Sequence, residues 1–405
     1  MNCRHCNEIL IHDLIDLGIT PPSNSYLKLS DLQKTEKKYP LRVKVCENCW
    51  LVQTEDFTSA DELFDSDYAY FSAASSSWLL HAEKYATEIV SRLKLNSKSF
   101  VIEVASNDGY LLRNFVKSNI PCLGVEPTAS TAAVAEDIGV PVIREFFGSE
   151  LAKSLAADHK FADLIIGNNV YAHVPDINDF TLGMKIVLKP GGTITLEFPH
   201  LLQLLEQNQF DTIYHEHFSY LSLYTVDRIF RSVGLRLWDV EELPTHGGSL
   251  RVYGSHADDS REITQDFKRV LAQESKLQNI SSYQNFLLKA QSIKNELVIF
   301  LEHQKRLGKK VVAYGAAAKG NTLLNFSEVG TDLIEFVSDV SDSKQNKFMP
   351  GSRIPILHPS AIRESKPDFV LILPWNLATE ICEQLAYIKE WDGQFLTAIP
   401  ELRVL

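Results

Sequence analysis

Residues 99 to 199 alternate short, almost wholly apolar runs with longer stretches whose apolar positions recur every three or four residues. "SFVIEVASNDGYLLRNF" opens the series as a strand, a turn at Asn107-Asp108-Gly109 and a helix. "CLGVEP" reads as a second strand ending at Glu126, and "ADLIIGNNV" as a third. "YAHVPDINDFTLGMKIVLKPGG" has helical spacing and is expected to stop at Pro190-Gly191-Gly192. "TITLEFP" is the next strand, with "LRLWDVEEL" and "SLRVYGSH" as a closing hairpin. Strands alternating with helices predict a mainly parallel, doubly wound sheet that binds ligands at its strand carboxyl ends. The pattern returns in "KKVVAYGAAAKGNTLLN", "LIEFVSDVS", "DFVLILPW", "EICEQLAYIKEW" and "FLTAIP", which predict a second α/β unit. Residues 258–309 between them are polar with a helical pattern and are expected to be a solvated spacer. The expected organisation is a small loop-rich module at 1–66, an α/β domain at 67–256 and a C-terminal α/β domain at 257–405.

A chain of 405 residues, 45% apolar and 23% charged, has the composition of a globular protein with several cores. No apolar run reaches membrane-spanning length, and "MNCRHCNEIL" lacks the form of a signal peptide, so a cytoplasmic protein with no membrane partner is expected. The net charge of −12 argues against a nucleic-acid partner, whose phosphates reward a basic surface. It suits a small ligand held by a few local donors.

Four of the six cysteines, Cys3, Cys6, Cys46 and Cys49, form two C-x-x-C pairs. In a reducing compartment such pairs point to zinc, and four protein ligands make the site closed and structural. His5 is an available substitute ligand. Cys122 and Cys382 are expected to be buried small hydrophobes.

Two further segments carry chemistry. In "VIEVASNDGYLL" an acidic residue lies within a strand before a small-residue turn, and Glu126 follows Glu103 by 23 positions, as expected of a carboxylate that accepts ribose hydroxyls. Glu103, Ala105, Asn107, Gly109, Tyr110, Leu111, Glu126, Asn168 and Asn169 are the cofactor-binding candidates. The pattern fits a nicotinamide or an S-adenosylmethionine site, and the lack of G-x-G-x-x-G favours a cofactor without a pyrophosphate. "YHEHFSYLS", residues 214–222, is compatible with proton transfer, with a metal or with a polar loop.

"VIEVASNDGYLL", "GVEP", "GNNVYAHVPD" and "LKPGGTITLEFP" together resemble a class I methyltransferase. With the cysteine pairs, "YHEHFSYLS", "HGGSLRVY", "YGAAAKGNTLLN" and "PGSRIPI", the whole chain resembles the sugar C-methyltransferases. That family methylates carbon 3 of nucleotide-linked 4-keto-6-deoxyhexoses with S-adenosylmethionine. The resemblance implies His217 as the base, with Tyr214, Glu216 and His173 in the active site. It also implies one tyrosine of "SDYAYFS", with Tyr68 preferred as catalytic and Tyr70 assigned to substrate. Tyr214 or His173 is available to donate to the enolate oxygen, and Glu216 to orient His217 or to stabilise its protonated form. His246, Gly247, Gly248, Ser249, Lys319 and Asn321 are the remaining substrate-binding candidates, although the glycines also suit a plain hairpin turn. The C-terminal domain is expected to close over the sugar nucleotide, in a chain that the resemblance allows to be a monomer. The rival activities are O- or N-methylation of another small molecule, methylation of nucleic acid, and non-catalytic binding of a sugar nucleotide.

Overall fold

Alternation sets the first sheet. In "LRVKV" Leu41, Val43 and Val45 are buried while Arg42 and Lys44 point outward, the period of a half-buried strand. This strand, β2 (Tyr39–Val45), pairs antiparallel with β1 (His12–Thr20) and with β3 (Val52–Thr54). Arg42 and Lys44 pair across the ladder with Asp16 and Asp13. The computed structural model describes residues 1–57, 72–74 and 76–405, so Tyr68 and Tyr70 lie outside the described residues.

The middle sheet begins with β4 (Val101–Val104), β5 (Cys122–Val125), β6 (Val142–Ile143), β7 (Ala162–Asn168) and β8 (Leu188–Pro199), all parallel. Its central strands read as continuous apolar runs because both faces are covered. Ile165 faces Phe180, Met184 and Val187 of the helix Ile177–Val187. Leu164 and Ile166, its neighbours on β7, face Tyr85 and Ile89 of the helix Ser76–Leu93. The expected Pro-Gly-Gly stop is displaced. The helix ends at Val187, Leu188 turns extended, and Pro190 to Gly192 lie within β8 beside a register shift against β7.

After β8 the chain does not return to this sheet at once. β9 (Ser219–Tyr220) pairs antiparallel with β3, so the first sheet has the order β1-β2-β3-β9. Then β10 (Leu235–Leu243) and β11 (Ser249–His256) form the expected hairpin, giving the order β10-β11-β8-β7-β4-β5-β6. The C-terminal sheet holds β12 (Val311–Tyr314), β13 (Val337–Ser338), β14 (Ile356–Leu357), β15 (Phe369–Ile372), β16 (Gln394–Thr397) and β17 (Arg403–Val404). Its order is β14-β13-β12-β15-β16-β17, parallel except for β17. The fold is α/β, with a small N-terminal module and two Rossmann-like sheets.

The stretch 258–309 corrects an expectation. Its helix Phe286–Arg306 buries Phe286, Ala290, Ile293, Leu297 and Leu301 in one core with Leu14 and Leu17 of β1 and Val311 of β12. That three-and-four spacing is an apolar stripe, and such a helix is a packing element rather than a solvated spacer. Among the described residues no helix is long and apolar enough to cross a membrane.

Candidate active site

The four paired cysteines converge. Their sulfur atoms all lie within 4.8 Å of one another, with Cys3–Cys49 and Cys6–Cys46 separations of 3.5 Å. Zinc–thiolate bonds of about 2.3 Å put tetrahedral sulfurs about 3.8 Å apart, so the donor set fits zinc. His5 is turned away from them, with Nδ1 2.8 Å from Asn178 Oδ1. Between the knuckle cysteines, Arg4 donates to the carbonyls of Pro175 (2.7 Å) and Thr54 (3.2 Å). The knuckle is thereby fastened to the middle domain.

In the middle sheet the strand order runs outward on both sides of the β4/β7 boundary, and a ligand crevice opens at the carboxyl ends of these strands. The turn after β4 holds Ala105, Asn107 and Gly109 at positive φ. A Cβ on Gly109 would lie 3.1 Å from that of Ala135, so this turn tolerates no side chain there. Glu126 is fixed by the backbone amides of Asn107 (3.0 Å) and Thr128 (2.9 Å). Glu103 is buried with one carboxyl oxygen unpartnered, and burial beside Asp108 and Glu126 holds its pKa well above the usual range. Both side-chain polar atoms of Asn168 and Oδ1 of Asn169 also lack partners. Unpartnered acceptors and an acidic interior fit a ligand that carries donors and positive charge, as S-adenosylmethionine does. Tyr110 lines up with Trp78 at 6.1 Å, whereas the Leu111 side chain belongs to the core beneath.

The proton-transfer candidates meet where the loop 210–222 passes beneath this crevice. His217 Nδ1 is 2.9 Å from the carbonyl of Thr212. A carbonyl only accepts, so Nδ1 carries the proton and Nε2 of the neutral ring is the basic nitrogen. Tyr214 packs on this ring at 3.9 Å and His173 stands edge-on at 4.7 Å. Burial, then the neighbouring His173, His246 and Lys319, hold the His217 pKa well below that of free imidazole. His173 donates from Nδ1 to the Glu216 carbonyl at 2.8 Å, and burial pushes its pKa down to about 4. Its remaining nitrogen is an acceptor, not a donor for an enolate oxygen. Thr212, not Glu216, orients His217; the Glu216 carboxyl instead accepts from Asn24 at 3.1 Å. His215 turns outward to the carbonyl of Tyr39.

The C-terminal sheet has a crevice of its own. Its strand order reverses between β12 and β15, and the turns after these strands carry Lys319 and Trp375-Asn376. Lys319 donates to Asn376 Oδ1 at 2.7 Å and lies 4.8 Å above the Trp375 ring. Trp375 Nε1 donates to Asp211 at 2.7 Å, joining the two domains. Burial raises the Asp211 pKa to about 6 against the opposing pull of Lys319. Asn321 donates to the carbonyl of Ser23 and keeps Oδ1 unpartnered.

The segment 245–249 divides between two tasks. Gly248 N and Ser249 Oγ both bond to the Thr245 carbonyl and close the hairpin turn. His246 packs on Trp78 at 5.3 Å and feels Lys319. Gly247, at φ +89, sits against Trp375, where a Cβ would come within 2.3 Å of the indole. Gly247→Ala is therefore expected to displace Trp375, at a stability cost of about 1–3 kcal/mol. Thermal unfolding should show that loss, and an unchanged midpoint would reject the contact.

Asn24, Asp211, Trp375, Asn376 and Trp78 were not identifiable beforehand as site residues. None lies in a motif; Asn24, Asp211 and Trp375 reach the site through the meeting of separate domains, whereas Trp78 packs on Tyr110 and His246 of its own domain and Asn376 bonds to Lys319 of its own.

Comparison with known proteins agrees with this architecture. A zinc binding domain model matches residues 3–64, a methyltransferase domain model 78–240, and a C-methyltransferase C-terminal domain model 244–400. C-methyltransferase NovU of Streptomyces niveus is 36% identical over 406 residues, covering 100% of this chain and 96% of that protein. Among solved structures, a SAM-dependent methyltransferase of Anabaena variabilis is 14% identical, with a TM-score of 0.38 over 50% of this chain and 96% of its own. The PH0226 protein of Pyrococcus horikoshii is 15% identical, with a TM-score of 0.39 over 50% of this chain and 100% of its own. With three successive domain models and a whole-length relative in agreement, the chain belongs to the S-adenosylmethionine-dependent C-methyltransferases that join a zinc-binding domain, a methyltransferase domain and a C-methyltransferase C-terminal domain.

Proposed function

We propose that the chain methylates carbon 3 of a nucleotide-linked 4-keto-6-deoxyhexose through an enolate. The observation that carries this reading is the buried, Nδ1-anchored His217, in the loop whose Asp211 bonds to Trp375 of the C-terminal domain. A carbon next to a ketone becomes nucleophilic only when it loses a proton, so a base near carbon 3 is required. His217 Nε2 takes that proton, and the C–H electrons pass to the carbonyl oxygen. S-adenosylmethionine, when bound, supplies the electrophilic methyl group that the enolate carbon takes. Glu103, Glu126, Asn168 and Asn169 hold the methyl donor, with Asn107 and Gly109 shaping the turn around it.

The Lys319 ammonium favours both the neutral state of His217 and negative charge developing on the sugar oxygen. Tyr214, packed at a tilt on His217, offers a hydroxyl to that oxygen. The start of the helix Ala318–Phe326 suits the diphosphate because first-turn amides have no acceptor within their helix and Lys319 adds its ammonium to that turn. His246, Gly247, Trp375 and Asn321 surround the sugar nucleotide. Catalysis rests on placing base and methyl donor on opposite faces of the ring, which predicts inversion at carbon 3.

The test uses S-adenosylmethionine labelled with carbon-13 in the methyl group, offered with thymidine, guanosine and cytidine diphosphate 4-keto-6-deoxyhexoses. NMR should show the label on a ring carbon that has lost its proton. Label on oxygen would refute the enolate, and label in no member of the panel would reject this substrate class.

A further inference from the structure

The loop between β1 and β2 leaves the zinc module and lies against both other domains. The Ser23 carbonyl accepts from Asn321 at 2.5 Å, and the Tyr26 hydroxyl donates to the Ala316 carbonyl at 2.6 Å. Between these anchors, Asn24 Nδ2 donates to Glu216 Oε1 at 3.1 Å. Among the described residues, the donors that reach this buried carboxyl are the backbone N–H of Glu216 itself and the side-chain amide and backbone N–H of Asn24. Oε2 is buried and has no hydrogen-bond partner among the described residues. Around the group stand His173, which bonds to the Glu216 carbonyl, and Tyr220, whose phenol faces the carboxyl charge.

A carboxyl has two equivalent oxygens and a soft terminal torsion, so burial alone does not decide which oxygen faces a substrate. Donors gathered on one oxygen remove that equivalence. Oε1 becomes the acceptor held by Asn24, and Oε2 is left for the reacting sugar.

We propose that Asn24, a residue of the N-terminal module, is a positioning residue for proton transfer: its amide fixes the Glu216 carboxyl so that Oε2 faces carbon 3 and the carbonyl of the sugar. The proposal rests on the enolate reading above. It places the alignment of an active-site carboxyl on a loop more than 190 positions earlier in the chain. The neighbouring Ser23 is tied to the helix that follows the Lys319 turn, so the loop sets Glu216 relative to the sugar-nucleotide site as well.

The test separates proton transfer from methylation. The full-length, zinc-loaded enzyme with S-adenosylhomocysteine is incubated in deuterium oxide with whichever thymidine, guanosine or cytidine diphosphate 4-keto-6-deoxyhexose takes label in the assay above. NMR then follows deuterium entering carbon 3. Asn24→Ala is expected to slow this exchange about 10- to 100-fold, as for loss of a hydrogen bond to a charged group, with S-adenosylmethionine affinity unchanged. Asn24→Asp, isosteric but without the amide donor, should show at least the same loss. In a Glu216→Gln background, Asn24→Ala should have no further effect on exchange. Exchange at the parent rate in either single variant at position 24, or an equal additional loss in the Glu216→Gln background, would overturn the proposal while leaving the enolate reading intact. Parent-rate exchange in Glu216→Gln alone would remove Glu216 from the reaction, and no exchange in the parent enzyme would sink the enolate reading itself.

Discussion

Replacing His217 with asparagine is expected to lower the methylation rate about 10²- to 10⁴-fold, the usual contribution of a positioned general base. The substitution keeps a polar side chain in the Thr212 carbonyl's reach but removes the basic nitrogen. Affinity for S-adenosylmethionine should be unchanged, because the residues proposed to hold the methyl donor lie at the ends of β4, β5 and β7. The pH profile follows from the same geometry. Burial and the nearby His173, His246 and Lys319 depress the His217 pKa, so the neutral base persists below the ordinary imidazole value of about 6.5. The acid limb of the rate is expected below that value. His173 and His246 are both pushed down to about 4 by burial. As pH falls from 6.5 towards 4 the unfolded chain takes up protons that the folded chain refuses, so stability falls over that window and is fully present above it. A His217→Asn enzyme with the parent rate would remove this residue as the base, and an acid limb above pH 6.5 would contradict its depressed pKa.

The second large effect is expected from the zinc site. Cys46→Ser, or removal of zinc by a strong chelator, should abolish methylation, because structural zinc supplies on the order of 10 kcal/mol to modules of this size. The consequence reaches the active site through β3. Thr54 donates from Oγ1 to the His217 carbonyl at 2.9 Å and from its amide to Phe218 at 3.2 Å. Val52 and Gln53 pair with Tyr220 and Ser219. Hydrogen exchange should therefore rise in residues 214–222 as well as in the module, and metal analysis of the parent enzyme should give one zinc per chain. Full activity and unchanged exchange in a metal-free preparation would refute the coupling.

The alternation of apolar strands with helical stretches made both Rossmann-like sheets legible, because burial on two faces leaves an unmistakable run such as "LIIG". The cysteine spacing was equally direct, since four thiols in two knuckles have few other uses. The helix Phe286–Arg306 was misjudged from its charge: the stripe Phe286, Ala290, Ile293, Leu297 and Leu301 was present, but polar residues dominated the composition around it. The pairing of β9 with β3 was not readable, because a two-residue strand has no period and its partner lies far away in the chain. The same reason hid Asn24 and Trp375. His173 shows a finer limit. Its presence near the site was readable from the strand that precedes it, but its role as acceptor depended on a tautomer that the Glu216 carbonyl sets.

The sharing of β9 has a consequence for building hybrid enzymes. A sheet whose fourth strand comes from another domain is not a detachable cassette. Exchanging the methyltransferase segment of two relatives at its apparent limits would splice one parent's edge strand, and the histidine beside it, onto a foreign β3. Productive recombination should instead keep residues 1–57 and 210–222 from the same parent, so that ancestry in this family is expected to be shared by these two separated segments more faithfully than by the sequence that lies between them.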